Sequence, residues 1–307
     1  MGLLYSRIAV TGGSGLLGRY VVRELMADCD VTVIDLKPAP EDVAFVHADV
    51  RDLGAVRAAV RGHDAVVHLA ALDHGIVPEE EAFIDVNVRG TWHVLQAAEE
   101  AGVGRVVVTS SVAAVGLGAH NPPPVLPIPT DVTLAPLDSY GLSKQTCEAM
   151  AQVFVRRGPL DVICLRPCLI AQPEIAYGIA KIAAAQDGTA PPPPATGKGW
   201  RDLRETLSPT RAIVTPEDVA RAFRAALTAP GIRYGSYFVT GPDGCTTRPT
   251  IDCVAEGFGI TPQIARPALY ADDPCATAYD LSPALGDLGW EPTDHWADYL
   301  DRIIAAG

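Results

Sequence analysis

Three side chains have the types and the spacing for proton exchange at a carbon–oxygen centre. Tyr140 and Lys144 stand one turn apart on the same face of a helix, and Ser111 lies earlier in the chain, at the end of a strand reading Arg105–Thr109. A phenol ionises near pH ~10 and is a poor base at neutral pH unless a cation favours its phenolate. Lys144 is placed to be that cation, and Ser111 to hold the reacting oxygen by a hydrogen bond. Alone, Tyr-x-x-x-Lys is an ordinary exposed helix pair; its company gives it meaning.

That company begins at Arg7–Gly18, RIAVTGGSGLLG. Ile8, Ala9 and Val10 read as a short buried strand, and the apolar helical pattern Leu16, Leu17, Tyr20, Val21, Val22 follows at once. Gly12 permits a tight turn, Gly15 lets backbone N–H groups approach a pyrophosphate, and Gly18 lets the helix pack close. The helix start presents N–H groups and the positive dipole end to phosphates. A strand at Val31–Ile34 ends in Asp35, where a carboxylate accepts hydrogen bonds from an adenosine ribose. A dinucleotide site is expected. With a nicotinamide beside it, Tyr140 would exchange a proton while hydride moves.

The elements that position these groups alternate strand and helix, the pattern of a doubly wound parallel α/β sheet (Rossmann type). Phe45–His47 is a strand, Asp52 caps a helix reaching Val60, and Ala65–Leu69 is the next strand. Asp49 and Val50 leave the sheet edge where an adenine would lie, although Asp49 also suits a turn or cap. His68 reads as a structural histidine, and Leu69, Ala70 and Ala71 let a cofactor pass. Glu79–Gly102 reads as one long helix containing Asn87, whose Asn–Gly interior carries a propensity cost. The proline-rich stretch Asn121–Pro136 is a loop, Asp138 caps the Tyr140 helix, and Asp161–Leu165 is a strand. The expected division is a dinucleotide-binding domain over residues 1–166 plus 212–241, with Ile213–Thr215, the helix Glu217–Leu227 and the strand Tyr237–Thr240 returning to the sheet. A smaller substrate lobe takes 167–211, including the proline block Pro191–Pro194, plus 242–307.

Composition narrows the partners. The 307 residues are 48% apolar and 20% charged, enough for a large core, with a formal net charge of −13. Such a surface repels nucleic acid and anionic membranes. The seven cysteines form no Cys-x-x-Cys pair and no zinc-type cluster, so reduced thiols and no metal are expected. No apolar signal region precedes the first strand and no apolar run approaches the ~20 residues that span a bilayer. The expected protein is cytoplasmic.

The chain resembles the extended short-chain dehydrogenase/reductases of the NAD-dependent epimerase/dehydratase family. The resemblance rests on Thr11–Gly18, Asp35, Asp49-Val50, His68–Ala71, Asn87–Thr91, Ser110-Ser111, Tyr140–Lys144, Arg166-Pro167, Asp218–Ala220 and Leu288–Pro292. It implies NAD as cofactor, bound by Gly12, Gly15, Leu16, Leu17, Gly18, Asp35, Asp49, Val50, Leu69, Ala70, Ala71, Asn87, Tyr140 and Lys144. It also implies catalysis by Ser111, Tyr140 and Lys144, and a homodimer built on the helices starting near Glu79 and Asp138. Trp92, Val153 and Phe154 would serve that face or the core. Asp35 in place of arginine favours NAD over NADP, because a carboxylate repels a 2′-phosphate; Lys37 lies nearby.

Departures from the family pattern narrow the substrate. Arg211 matches the pyrophosphate arginine of the nucleotide-sugar enzymes in spacing, but Ala212, Leu169 and Tyr270 stand where those relatives carry polar anchors. Lys198, Arg201, Arg204 and Arg211 either replace them or form a solvated face. Val112–Val115 makes an apolar wall after Ser111. The expected activity is NAD-dependent oxidation or reduction of a secondary alcohol or ketone on a sugar-like small molecule, with Ser111 and Arg211 as substrate contacts. The alternatives are a nucleotide-sugar epimerase or dehydratase with tightly bound NAD, and a non-catalytic NAD-binding sensor.

Overall fold

The computed structural model describes residues 5–39, 42–73, 79–189 and 207–306. Pro191–Pro194, Lys198, Arg201 and Arg204 lie outside them. Its centre is a parallel sheet of seven strands: β1 Arg7–Thr11, β2 Asp30–Asp35, β3 Ala44–His47, β4 Ala65–His68, β5 Arg105–Thr109, β6 Asp161–Pro167 and β7 Tyr234–Val239. They lie in the order β7-β6-β5-β4-β1-β2-β3. The order reverses beside β1, so a crevice opens at the carboxyl ends of β1 and β4.

Alternating side chains feed two cores. Ile8, Val10, Val67 and Val107 face one way, against Val21, Val22 and Leu25 of helix α1 (Gly18–Met26) and Phe223 of a later helix. Ala9, Val66, Val106 and Val108 face the other, against Val56 of α2 (Leu53–Val60) and Val94 and Leu95 of α3 (Gly90–Ala101). Phe154 of α4 (Ser139–Arg157) closes that layer. Asp52 caps α2 by accepting from the N–H groups of Gly54 and Ala55, and Asp138 caps α4 by accepting from Gly141.

Helix α5 (Pro173–Gln186) precedes α6 (Pro216–Thr228), and α6 packs beside α1. Arg105, at the start of β5, is almost fully buried and donates to the carbonyls of Ala226, Ala229 and Ile232. Its charge therefore sits on the negative end of α6. Helices α7 (Thr250–Phe258), α8 (Pro267–Asp272) and α9 (Trp296–Ala306) complete the chain.

The structure departs from four expectations. Within Asn121–Pro136, read as a loop, Val125–Leu126 pairs in parallel with Gln263–Ile264, the two residues between Pro124 and Pro127 keeping the backbone N–H groups a ladder needs. The stretch read as one helix at Glu79–Gly102 is an α turn at Glu81–Phe83, a π segment at Ile84–Arg89 and then α3. Ile213–Val214 pairs with Leu169–Ile170 in a separate two-stranded ladder instead of joining the main sheet. Strand β7 begins at Tyr234, where the small residues Gly235 and Ser236 hide the alternation, yet Tyr234 pairs with Val162. No described helix is long and apolar enough to cross a membrane.

Candidate active site

The glycine turn is fitted to the end of β4. Gly12 has φ of +73°, and a Cβ there would lie 2.5 Å from the Ala70 nitrogen. A Cβ on Gly18 would lie 2.4 Å from the Gly12 carbonyl oxygen, so α1 can start here only without a side chain. At Gly15 a Cβ would meet only the Gly12 oxygen, at 3.2 Å. Leu16 beside it is 63% exposed.

Asp35 closes the turn from β2. One carboxylate oxygen accepts from the Ser14 N–H at 3.1 Å, and the other from Leu36 at 2.7 Å and Lys37 at 3.2 Å. A carboxylate offers about four acceptor sites, so capacity remains for a ribose hydroxyl. Asp49 is engaged by the Arg51 backbone and guanidinium, which hold its carboxyl below the usual range. Val50 is buried against Gly90. An open turn backed by small residues, with an acceptor at the end of β2, is a cradle that fits a dinucleotide.

Behind the cradle runs a buried polar chain. His68 is 3% exposed; its Nδ1 accepts from the Thr11 hydroxyl at 2.7 Å, and its Nε2 donates to Thr91 at 3.0 Å. Burial and Lys144 push its pKa down to about 3. A neutral, fully bonded imidazole matches the structural reading. Thr91 Oγ1 in turn donates to the Asn87 carbonyl at 2.5 Å and contacts Cys147 of α4.

Asn87 itself lies in the π segment, 1% exposed. Its amide oxygen accepts from the Leu72 N–H, while its nitrogen donates to the Leu72 carbonyl and to Ser143 Oγ. Ser143 Oγ donates to the Tyr140 carbonyl at 2.7 Å. The wider π turn thus turns one asparagine toward both the chain leaving β4 and the helix bearing Tyr140, and π turns often mark such sites.

Tyr140, Lys144 and Ser111 do converge. The Lys144 ammonium is 5.6 Å from the Tyr140 ring centroid, and it donates to the Thr109 carbonyl at 2.9 Å. Ser111 Oγ accepts from the Ala113 N–H and hydrogen-bonds the Tyr140 hydroxyl. Phe83 packs edge-on against the Tyr140 ring, with centroids 5.7 Å apart. Next door, Glu148 accepts from Ser110 and from Arg166, both buried, and ties β5 and β6 to α4.

One participant was not foreseen. Asp73, just past Ala71, hydrogen-bonds the Tyr140 hydroxyl. Burial, then the Asp73 charge, raise the Tyr140 pKa above the ordinary phenol value; the Ser111 bond opposes them. Lys144 is pushed the other way, below its ordinary value, by burial. The lysine is bonded to a carbonyl and its own charge is disfavoured, so the expected lowering of the phenol by Lys144 does not prevail here. The only advance signal for Asp73 was a carboxylate following a strand end of small residues.

Arg211 is far less available than its spacing suggests. It is 6% exposed, donates to Gln186 Oε1 at 2.6 Å and lies 3.6 Å from the Asp187 carboxylate. Tyr270 is buried and donates to the Thr277 carbonyl. Among the described residues there is no cluster suited to a metal ion.

The model of the NAD dependent epimerase/dehydratase family matches residues 8–237. A 4-epimerase from Escherichia coli O157:H7, acting by its name on N-acetyl-alpha-D-glucosaminyl-diphospho-ditrans,octacis-undecaprenol, is 33% identical over 56% of this chain and 49% of its own. L-arabinose 1-dehydrogenase (NAD(P)(+)) from Haloferax volcanii is 33% identical over 52% of this chain and 66% of its own. The chain spans about half the length of the first of these relatives. The structure of a short-chain dehydrogenase/reductase superfamily protein from Agrobacterium tumefaciens with bound NAD superposes with a TM-score of 0.73 over 98% of this chain and 96% of that one, at 23% identity, a likeness of fold.

Proposed function

The chain belongs to the NAD-dependent epimerase/dehydratase family, and from that premise we propose that it moves hydride between NAD and a secondary alcohol or ketone carbon of a sugar-like small molecule. One observation carries this reading: the Tyr140 hydroxyl is bonded to Ser111, with Lys144 one turn on, at the mouth of a crevice backed by the glycine turn.

In this reading Gly12, Gly15, Leu16, Leu17 and Gly18 receive the cofactor pyrophosphate, and Asp35 its adenosine ribose. Asp49, Val50, Leu69, Ala70 and Ala71 line its path. When bound, NAD supplies the hydride acceptor or donor. Tyr140 holds or releases the proton of the reacting oxygen, Ser111 fixes that oxygen, and buried Lys144 adds positive charge beneath the phenol. Asn87 acts by holding the end of β4 against α4. The wall over the substrate is assigned to residues 167–211 and 242–307.

Arg211 serves this wall from within. It braces Gln186 and Asp187 at the end of α5, and direct contact with a diphosphate would require it to leave Asp187. That favours a free sugar, polyol or sugar acid over a nucleotide sugar. The epimerase likeness keeps a second reading, in which NAD stays bound and hydride returns to the substrate. A homodimer is assigned to α3 and α4, where Trp92 and Val153 are exposed while Phe154 is core. Seven free thiols suit a reducing cytoplasm.

The test is the NAD content of the purified protein, read by absorbance and mass spectrometry after denaturation, then NADH formation on free sugars, polyols and sugar acids. Little retained NAD with steady NADH on a free compound supports the dehydrogenase. Retained NAD, no net NADH and turnover only of nucleotide sugars moves the answer to the epimerase.

A further inference from the structure

We infer that Asp73 is the specificity-determining residue of this site: its carboxylate receives a hydroxyl beside the reacting carbon, so that the enzyme takes an uncharged polyhydroxyl substrate and turns away one carrying a carboxylate there. The inference rests on the hydride-transfer reading and names the substrate class within it.

The placement is built. Asp73 follows Leu72, whose N–H and carbonyl are both held by the buried Asn87 amide at 2.8 and 3.1 Å. The same amide reaches α4 through Ser143, so Asp73 and Tyr140 are referenced to one asparagine. The Asp73 side chain is exposed, yet it bonds the Tyr140 hydroxyl and its charge is felt at Lys144. Asp138 adds a second negative charge near the phenol.

The chemistry follows from donor and acceptor types. A reacting oxygen bonded to Tyr140 and Ser111 lies about two hydrogen-bond lengths from Asp73, roughly 5 to 6 Å. The neighbouring hydroxyl of a vicinal diol falls between them and can donate to the carboxylate, which only accepts. A substrate carboxylate there has no proton to donate and meets two like charges. At about 5 Å one like charge costs about fourfold in affinity under water-like screening and over a hundredfold at an effective dielectric near 20. Ser111 and Tyr140 are common to both substrate types, so the choice falls to Asp73.

The experiment compares matched pairs, sorbitol with gluconate and galactitol with galactonate, in which C1, beside the C2 secondary alcohol, is a hydroxymethyl or a carboxylate, on the wild-type protein and on Asp73→Asn. Initial NADH formation gives kcat/KM, and calorimetry with NADH present gives binding. The wild-type protein should favour the neutral member. Asp73→Asn, isosteric at an exposed position, should keep its melting temperature and shift the neutral-to-aldonate ratio at least about fourfold toward the aldonate. A ratio that does not move, or a wild-type preference for aldonates, overturns the inference. Should calorimetry show the shift while no compound yields NADH, Asp73 keeps its role and hydride transfer fails. NADH formed on aldonates equally by both proteins leaves hydride transfer standing and removes Asp73.

Discussion

The side-chain amide of Asn87 brackets the backbone of Leu72, accepting from its N–H at 2.8 Å and donating to its carbonyl at 3.1 Å. It does the work of a neighbouring strand for one residue beyond the end of β4. Replacing Asn87 with Ala leaves those groups and the Ser143 hydroxyl short of partners in a buried setting. The expected loss is about 2–4 kcal/mol of unfolding free energy in urea titrations, together with a fall in kcat greater than any rise in KM. Unchanged stability would show that the clamp is dispensable.

Gly18→Ala tests the cradle directly. The new methyl would sit 2.4 Å from the Gly12 oxygen, so α1 must back away from the turn. NAD affinity by calorimetry should fall at least about tenfold, a change of ~1.4 kcal/mol, while the far-ultraviolet circular dichroism stays native. Gly62→Ala, whose Cβ meets nothing within 4 Å, is the control for general backbone strain.

Tyr140→Phe keeps the ring that packs on Phe83 and removes only the hydroxyl. Turnover should fall by roughly 10²–10⁴-fold, the usual range for loss of a general acid or base. NAD binding should change little. A variant that retains wild-type turnover would leave the chain a nucleotide-binding protein without this chemistry.

Acid should weaken the fold through His68 before it reaches the carboxylates. The buried imidazole accepts a proton only near pH 3, against 6.5 when exposed. The unfolded chain therefore binds the extra proton as pH drops below 6.5, and its stability relative to the folded state rises. The folded protein has the full contribution above pH 6.5 and loses up to about 1.4 kcal/mol per unit on the way down. Urea midpoints between about pH 6.5 and 5 should show this slope, and His68→Gln should flatten it. Equal slopes in the two proteins would place the sensitivity elsewhere.

Much of the scaffold could be read from local pattern. Strand β5 keeps the bounds Arg105–Thr109, Asp52 and Asp138 cap the helices they precede, and the His68 imidazole is satisfied within the core. Each depends on neighbours close in the chain or on period-two burial. The π segment was hidden because its apolar spacing differs little from that of an α-helix over six residues. The short ladder of Leu169–Ile170 with Ile213–Val214 joins segments more than forty residues apart. Asp73 meets Tyr140 only because Asn87 draws the chain beyond β4 toward α4, a relation no local motif carries.

Arg105 gives this architecture an order of completion. Its guanidinium lies at the start of β5, but the carbonyls it donates to come from Ala226, Ala229 and Ile232, over 120 positions later. During synthesis six of the seven strands precede that helix end, and until it exists Arg105 has only the Asp161 carboxylate, at 3.5 Å, as a partner among the described residues. The amino-terminal portion, glycine turn included, therefore lacks the three carbonyls that complete Arg105. A nascent chain stopped before residue 232 should remain a client of chaperones, and separating the nucleotide-binding strands by truncation would remove the very carbonyls their centre requires.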